Sequence, residues 1–266
     1  MVPESPLSDA SFDDSPALCK RGLGRRYESP TMLKRRDVST CHNSALKRTP
    51  IPKKSYNHCD AELHFQLTLA KVNNLHFGRF LDRHNISEKF RAKMIDWMIE
   101  VLSIYRQKDS TIFRAIFIMD LFYAQTSELQ SVHDLHLTGI VCMLIASKSE
   151  EVRFIKLEAM VNTIGRNKFT KEQILLKEQK VLEAIQFRSS VPCAFELLKC
   201  ALAMFKRGDR SVLLDAVALQ SAKMCICSYE MLVQVSIPDI ILCSLVVAGK
   251  ISDKISKMRQ AVDIIL

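Results

Sequence analysis

The chain has 266 residues, of which 48% are hydrophobic and 25% are charged, as in most soluble globular proteins. No apolar run approaches the ~20 residues that a membrane-spanning helix needs. The N-terminus lacks the charged and apolar regions of a secretory signal, so neither a membrane protein nor a secreted protein is expected. The nine cysteines form no CxxC pair, which favours reduced thiols inside a cell over a disulfide framework or a zinc site.

The formal net charge is +9, but it is distributed unevenly. Residues 1–57 carry +5, which leaves +4 on the remaining 209 residues. A surface that follows the phosphates of a nucleic acid needs a denser cluster of Lys and Arg. The charge distribution therefore argues against nucleic acid as a partner.

Residues 1–57 are predicted to be a disordered basic tail. Six of the eight prolines lie in the first 52 residues, and the segment has too little apolar periodicity to offset the entropy of ordering it. Four Ser/Thr-Pro pairs fit proline-directed phosphorylation, although these residues also co-occur in unregulated tails. The clusters at 34–36 and 53–54 fit either a nuclear import signal or a solvated basic segment, and we expect the protein in the nucleus and the cytoplasm.

From about residue 60 the chain is predicted to be helical throughout. No strand-type alternation persists, only two prolines remain, and the connections are short, as in an all-α bundle. Helix-start signals include Ser87, Asp109 and Thr170. The predicted helices span 60–82, 88–106, 111–125, 134–148, 155–165, 170–186, 193–206, 211–232, 238–250 and 253–266.

The sequence also contains a faint internal repeat. "VCMLIASK" at 141–148 and "CSLVVAGK" at 243–250 share a pattern of apolar, small and basic residues. Two equivalent buried helices in two halves of one architecture would produce this pattern, and so would a chance resemblance between two core helices.

The helix predicted over 90–106, "FRAKMIDWMIEVLSIYR", is apolar over most of its circumference, which is typical of a central, buried helix. Arg91 nevertheless projects into the apolar face, where an unpaired guanidinium costs several kcal/mol. Asp120 occupies the same kind of position on the next helix. We therefore predict that Arg91 and Asp120 form an ion pair that sets the register of the two helices and has no catalytic role.

Two further charged residues, Lys148 and Glu178, also lie in or beside apolar sequence. Glu178 is centred on an apolar helix face that includes Ile174 and Val181, where a carboxylate needs either a partner or a binding role. Lys148 ends the very apolar segment 138–147, and alone it would fit a cation that interacts with a helix C-terminus. Together, Lys148 and Glu178 indicate an interaction site.

Three of these segments, in this order, resemble the cyclin box. "FRAKMIDWMIEVLSIY" resembles its opening, "LHLTGIVCMLIASKSEEV" its central helix and "TKEQILLKEQKVLEAIQF" its final helix. The resemblance covers about 88–190 and is strongest to the mitotic A/B-type cyclins. It implies an all-α protein of two stacked five-helix cyclin folds, preceded by an N-terminal helix and the disordered tail. The tail then spans 1–57, the N-terminal cyclin box with its leading helix 58–190, and a C-terminal cyclin fold, one helix short, 191–266.

The resemblance implies a regulatory subunit in cell-cycle control rather than an enzyme, with no cofactor, metal or catalytic residue. Cyclins activate cyclin-dependent protein kinases by binding the regulatory helix of the kinase. In the bound kinase, the glutamate of that helix pairs with the ATP-binding lysine. By resemblance, Lys148, Glu178 and Glu151 contact the kinase. Arg91 and Asp120 match the buried structural pair of the family.

The family also has a substrate-docking groove that takes Arg-x-Leu motifs. By resemblance, its positions in this chain are Met94, Trp97, Glu100, Leu135 and His136, with Glu100 able to meet the substrate arginine. Two features depart from the family pattern: Lys93 stands where an aliphatic residue is preferred, and His136 where glutamine is common. A cation beside the arginine subsite argues against ordinary docking, and Met94 and Trp97 also fit plain core positions.

The alternative to a kinase regulator is a transcription factor that shares the two-repeat cyclin fold and binds DNA. Such proteins commonly carry a zinc ribbon with paired CxxC spacing, which this sequence lacks, and the charge on the helical part is low. An enzyme is not expected, because no glycine-rich phosphate loop, HExxH or GxSxG motif occurs. His133 and His136 share a helix face, but no further ligands complete a metal site.

Overall fold

The computed structural model describes residues 58–73, 75, 77–204 and 212–265, with side chains between residues 60 and 253. All of them belong to one structural unit, Lys53–Leu266. The predicted disordered tail, its Ser/Thr-Pro pairs and its basic clusters fall at residues 1–57 and lie outside the described residues.

The described chain is built from helices. Its only strand-type pairing is an isolated bridge between Asn85 and Ser131. In this part of the chain, no helix combines the length and the apolar character needed to cross a membrane. A 3₁₀ turn (Phe80–Arg83) precedes α2, and α5 continues into a π-helical turn (Met160–Ile164). The helices are α1 (His58–Asn73), α2 (Glu88–Ile104), α3 (Asp109–Gln125), α4 (Val132–Glu150), α5 (Leu157–Ala159), α6 (Lys171–Ala184), α7 (Ala194–Met204), α8 (Val212–Cys227), α9 (Tyr229–Gln234) and α10 (Ile237–Ile265).

The centre of the first group of helices, α2 to α6, is formed by α3 and α4. Every residue of α3 from Ser110 to Tyr123 is buried, and so is every residue of α4 from Thr138 to Ser147. Helix α3 is buried because other helices surround it: it contacts α2, α4, α6 and α7. The sequence pattern suggested α2 as the central helix, but α2 exposes a polar strip and Ile104. It therefore lies against the central pair rather than within it.

Local polar groups determine where several helices begin. The hydroxyl of Thr170 accepts a hydrogen bond from the backbone N–H of Gln173, and the Gln173 side chain accepts one from the backbone of Thr170. Ser131 and Asp134 form the equivalent box at the start of α4. Such boxes satisfy backbone donors that the first helical turn leaves unpaired. They place the starts of α4 and α6, the two helices that carry Lys148 and Glu178.

The first predicted helix is shorter in the structure than in the sequence analysis, which extended it to residue 82. It ends at Asn73. Gly78 follows with a φ of +58°, a left-handed conformation that glycine adopts without steric cost. The chain then turns into the separate 3₁₀ segment Phe80–Arg83.

The second group consists of α7 to α10, which is four helices in the described part of the chain. The helix predicted over 211–232 is interrupted at Ser228, whose hydroxyl accepts a hydrogen bond from the backbone of Met231 and starts α9. Conversely, the two helices predicted over 238–250 and 253–266 are one continuous helix, α10. No proline or glycine interrupts residues 250–265, so nothing local stops the helix there.

Candidate functional site

Arg91 and Asp120 lie together between α2 and α3. Arg91 Nε is 2.8 Å from Asp120 Oδ1, and Nη2 is 2.7 Å from Oδ2. The two side chains are 1% and 3% exposed. The contact is thus the bidentate fork that a guanidinium makes with a carboxylate, in an environment almost without water.

The same guanidinium also binds the second group of helices. Arg91 Nη1 donates to the carbonyl of Cys227 at 3.0 Å, and Nη2 donates to the carbonyl of Ile226 at 3.1 Å. These are the last carbonyls of α8, which lack partners within the helix. Burial alone would lower the pKa of Arg91, but the charge and hydrogen bonds of Asp120 have a larger effect, so the pKa of Arg91 is raised. Arg91 therefore joins α2, α3 and α8 at one point.

Lys148 and Glu178 form an ion pair between α4 and α6. Lys148 Nζ lies 2.6 Å from Glu178 Oε1 and 2.9 Å from Oε2. The lysine side chain is 42% exposed and the glutamate side chain 12%. Sequence analysis expected these charges to meet opposite charges on another chain, whereas in the isolated chain they bind each other. Lys148 therefore remains within reach of another chain, whereas Glu178 is mostly buried with a small part open to water.

Glu151 is engaged inside the chain. Its Oε1 accepts hydrogen bonds from the backbone N–H of Lys108 and the hydroxyl of Thr111, both at 2.7 Å. Its Oε2 lies 3.1 Å from Lys108 Nζ. Burial alone would raise the pKa of this carboxyl, but the N–H of Lys108 and the other donors lower it. Glu151, which the resemblance placed among the kinase contacts, thus binds the first turn of α3.

Exposed apolar side chains follow α4 and α6, and the sequence analysis did not identify them. Val152 is 95% exposed, and Phe154 and Phe187 are more than half exposed. The N–H of Ile155 donates to the hydroxyl of Ser147, which folds the segment containing Val152 and Phe154 back onto the end of α4. The sequence contains no clear signal for these exposed side chains, because an apolar residue in a short connection resembles a core residue. We name Lys148, Glu178, Val152, Phe154 and Phe187 the α4–α6 surface.

Two of the predicted docking residues belong to the core. Met94 and Leu135 are almost completely buried. Met94 packs on Gly139 so closely that a Cβ added at residue 139 would lie 2.6 Å from the Met94 sulfur. Glycine at that position allows α2 and α4 to approach each other. In this structure, Met94 and Leu135 offer no side-chain surface to a docking peptide.

The remaining docking residues lie at the edge of the same contact. The rings of Trp97 and His136 meet edge to face with their centroids 4.8 Å apart, and Phe169 contacts His136 at 5.4 Å. Burial, together with the charges of Lys168 and Arg166, lowers the pKa of His136 to about 4. His136 is therefore neutral at physiological pH and acts as an aromatic packing group.

Glu100 is exposed on α2, one turn beyond Trp97, and Lys93 is exposed one turn before it. The arrangement thus presents one carboxylate, one ammonium group and the half-buried edge of Trp97. These groups form a mainly polar surface, whereas the resemblance implied an apolar groove.

Comparison with known proteins finds relatives for about half of this chain. Residues 64–190 match the family model of the cyclin N-terminal domain. Cyclin-A2-3 of Arabidopsis thaliana is 30% identical over 137 residues, which is 49% of this chain and 29% of the plant protein. Cyclin-B2-1 of Oryza sativa subsp. japonica is 33% identical over 148 residues, or 56% of this chain and 34% of that protein. The chain thus spans about a third of the length of these relatives.

The fold also has a counterpart among solved structures. A viral cyclin from herpesvirus saimiri superposes with a TM-score of 0.57, covering 71% of this chain and 80% of the viral protein. Its sequence identity is 16%, so this likeness concerns the fold. The matching family model and the plant relatives show that residues 64–190 are a cyclin box and that the chain resembles the mitotic, A- and B-type cyclins.

Proposed function

We propose that this chain is a regulatory subunit that binds and activates a cyclin-dependent protein kinase through the α4–α6 surface. It performs no chemistry itself and controls when its kinase partner is active in the cell cycle. The relationship to A- and B-type cyclins supports the kind of partner. The geometry of the surface supports the place where that partner binds.

The observation that carries the proposal is the ion pair between Lys148 and Glu178 at the surface. Water reaches the 42% exposed lysine and screens the pair, and a screened surface ion pair contributes about 0–1 kcal/mol to folding, so its contribution to stability does not explain two charges on apolar helix faces. Their value is greater in a complex, where a partner that excludes water strengthens every charge contact. Val152, Phe154 and Phe187 supply the exposed apolar area that such a complex would bury.

Activation then follows from differential affinity. A kinase alone exchanges between an inactive arrangement and one in which the glutamate of its regulatory helix pairs with the ATP-binding lysine. A subunit that binds the second arrangement more tightly shifts the population toward it. A shift from 1:99 to 99:1 requires about 10⁴-fold tighter binding to the active arrangement, or about 5.5 kcal/mol.

The test is a double substitution, Lys148→Ala with Glu178→Ala, in the full chain. We expect binding to a purified cyclin-dependent kinase to weaken by roughly 1,000-fold, since truncation of each of the two central contacts costs about 2 kcal/mol and about 1.4 kcal/mol corresponds to tenfold. Affinity is measured by calorimetry, and activation by phosphate transfer to a peptide substrate. Circular dichroism checks that the helices are retained.

The matched control is another ion pair on the same helix. Lys180 on α6 lies 3.6 Å from Glu128, and both side chains are half exposed or more. The variant Lys180→Ala with Glu128→Ala removes the same two charge types and is expected to leave kinase binding unchanged. Equal binding by wild type and the Lys148/Glu178 variant would refute the proposal.

A further inference from the structure

Arg114 is a second buried guanidinium, and the sequence analysis did not single it out. It lies on α3 with a side chain that is only 5% exposed. Unlike Arg91, it does not form a two-point contact with one carboxylate. Its three nitrogen atoms each donate to a different segment of the chain.

The three contacts connect the end of α4 to the start of the second group. Arg114 Nε donates to Glu150 Oε1 at 3.0 Å. Nη1 donates to the carbonyl of Val191, in the segment that leads into α7, and Nη2 donates to Glu196 on α7. The other oxygen of Glu196 accepts from the N–H of Cys193 at 2.8 Å. The carboxylate of Glu196 is thus oriented by the start of α7.

The charges at this point make Arg114 difficult to replace. Glu150 and Glu196 are mostly buried carboxylates that face the same cation. Without the guanidinium they would repel each other in an environment with little water, where charge interactions are strong. Lysine would keep the charge but could not reproduce three donors in a fixed planar fork.

Glu150 belongs to the last turn of α4, which also carries Lys148. The three charged residues at this end of α4 have separate partners: Lys148 binds Glu178 of α6, Glu150 binds Arg114 of α3, and Glu151 binds the first turn of α3. Of these three anchors, the one through Arg114 also reaches the second group of helices, at Val191 and Glu196.

We propose that Arg114 is a positioning residue for the α4–α6 surface. It orients the last turn of α4 by tying Glu150 to the start of α7, so that partner binding by the first group depends on contact with the second group. This inference rests on the proposed function for its consequence in binding. Its structural part, the orientation of the end of α4, is measured without any partner.

The first test substitutes Arg114→Leu and measures amide hydrogen exchange by mass spectrometry over residues 145–156. We expect faster exchange there than in wild type, because the turn loses one of its three anchors. The matched control is Lys223→Met. Lys223 on α8 pairs with Asp109 at the start of α3, so it also joins the two groups but does not touch α4. This control should leave exchange at 145–156 unchanged.

The second test measures affinity for the kinase. We expect Arg114→Leu to weaken binding about 10-fold, within the usual range of coupling between sites, and Lys223→Met to leave it unchanged. If wild type binds no cyclin-dependent kinase, the proposed function fails, and the exchange measurement still decides whether Arg114 orients the turn. Wild-type exchange and wild-type affinity in Arg114→Leu would overturn the inference.

Two further variants separate positioning from simple loss of stability. Glu196→Gln replaces one carboxylate oxygen of Glu196 while Arg114 and Glu150 stay in place. It is the variant to use if Arg114→Leu does not fold. It should raise exchange at 145–156 by a smaller factor than Arg114→Leu. Adding Glu150→Gln and Glu196→Gln to Arg114→Leu removes the repulsion between carboxylates. That triple variant should recover thermal stability but neither the slow exchange nor the affinity. If the triple variant also recovers slow exchange and wild-type affinity, Arg114 acts only by neutralising charge.

Discussion

The two predicted ion pairs differ in their access to water, and that difference separates a structural role from a binding role. Arg91 and Asp120 are 1% and 3% exposed, and Arg91 has further acceptors at the end of α8. Lys148 is 42% exposed and has Glu178 as its hydrogen-bonding partner. The buried pair cannot exchange partners without breaking the core. The Lys148–Glu178 pair, whose lysine lies at the surface, can exchange them at a lower cost.

The comparison also shows why similar sequence signals have different meanings. Each pair joins charges that interrupt apolar sequence, but Arg91 and Asp120 are covered by further helices whereas Lys148, at the end of α4, is not. Burial is therefore what distinguishes the pairs, because the cost of an unpaired charge grows steeply as water is removed. Four variants test the roles of these charges, in order of decreasing expected effect.

The largest effect is expected for Asp120→Ala. It leaves the Arg91 guanidinium buried without its carboxylate, and breaking such a pair costs about 3 to 5 kcal/mol of unfolding free energy. Urea denaturation followed by circular dichroism measures this quantity. A loss below about 1 kcal/mol would show that the pair is not structural.

An intermediate effect is expected for Glu151→Gln. At pH 7 this change removes a charged acceptor from the first turn of α3 and should cost about 1 kcal/mol, as loss of a helix cap does. Because donors lower the pKa of Glu151 in the folded state, its stabilising contribution is present above the ordinary carboxyl pKa and is lost as the pH falls through the folded value.

Urea denaturation of wild type and Glu151→Gln between pH 3 and pH 7 measures this dependence. The difference in unfolding free energy should shrink below about pH 4, where glutamate becomes protonated. A difference that is constant with pH would contradict a role for the ionised carboxylate.

A small effect on stability is expected for Lys148→Ala with Glu178→Ala. The change in unfolding free energy should stay below about 1 kcal/mol, because water reaches the lysine and screens the pair. Thermal unfolding monitored by calorimetry provides the measurement. A loss comparable to that of Asp120→Ala would mean that this pair belongs to the core, which removes the contrast on which the proposed binding role depends.

The smallest effect is expected at the docking residues. Lys93→Leu removes an ammonium group two turns before Glu100 on α2 and should strengthen binding of an Arg-x-Leu peptide by about threefold, because it removes a weak repulsion between exposed charges. Fluorescence anisotropy of a labelled peptide measures this, and a peptide with alanine in place of arginine is the control. If neither wild type nor Lys93→Leu binds the Arg-x-Leu peptide, docking at Trp97 and Glu100 is excluded.

Much of the fold was predictable because it depends on local patterns. Apolar periodicity and cap residues such as Thr170 located most of the helices, and α6 begins at the predicted cap. The errors arose where the local signal was ambiguous. Ser228 starts a new helix inside an apolar run, and α10 continues through a segment that had been divided.

The candidate site was predictable only in its charged residues. An ion on an apolar face violates the usual pattern, so Arg91, Asp120, Lys148 and Glu178 were visible without a structure. Val152 and Phe154 were not, because an exposed apolar residue in a short connection resembles a core residue in sequence.

Residue type and spacing are enough to show that the protein is helical, that it contains a cyclin box and that four charges interrupt apolar sequence. Which charges meet depends instead on how the helices pack. Backbone carbonyls carry no sequence signal, so the binding of Arg91 to Cys227 and Ile226, 136 and 135 residues away, could not be foreseen. Likewise, the partners of Arg114 lie on α4 and α7, and only packing brings them to one cation.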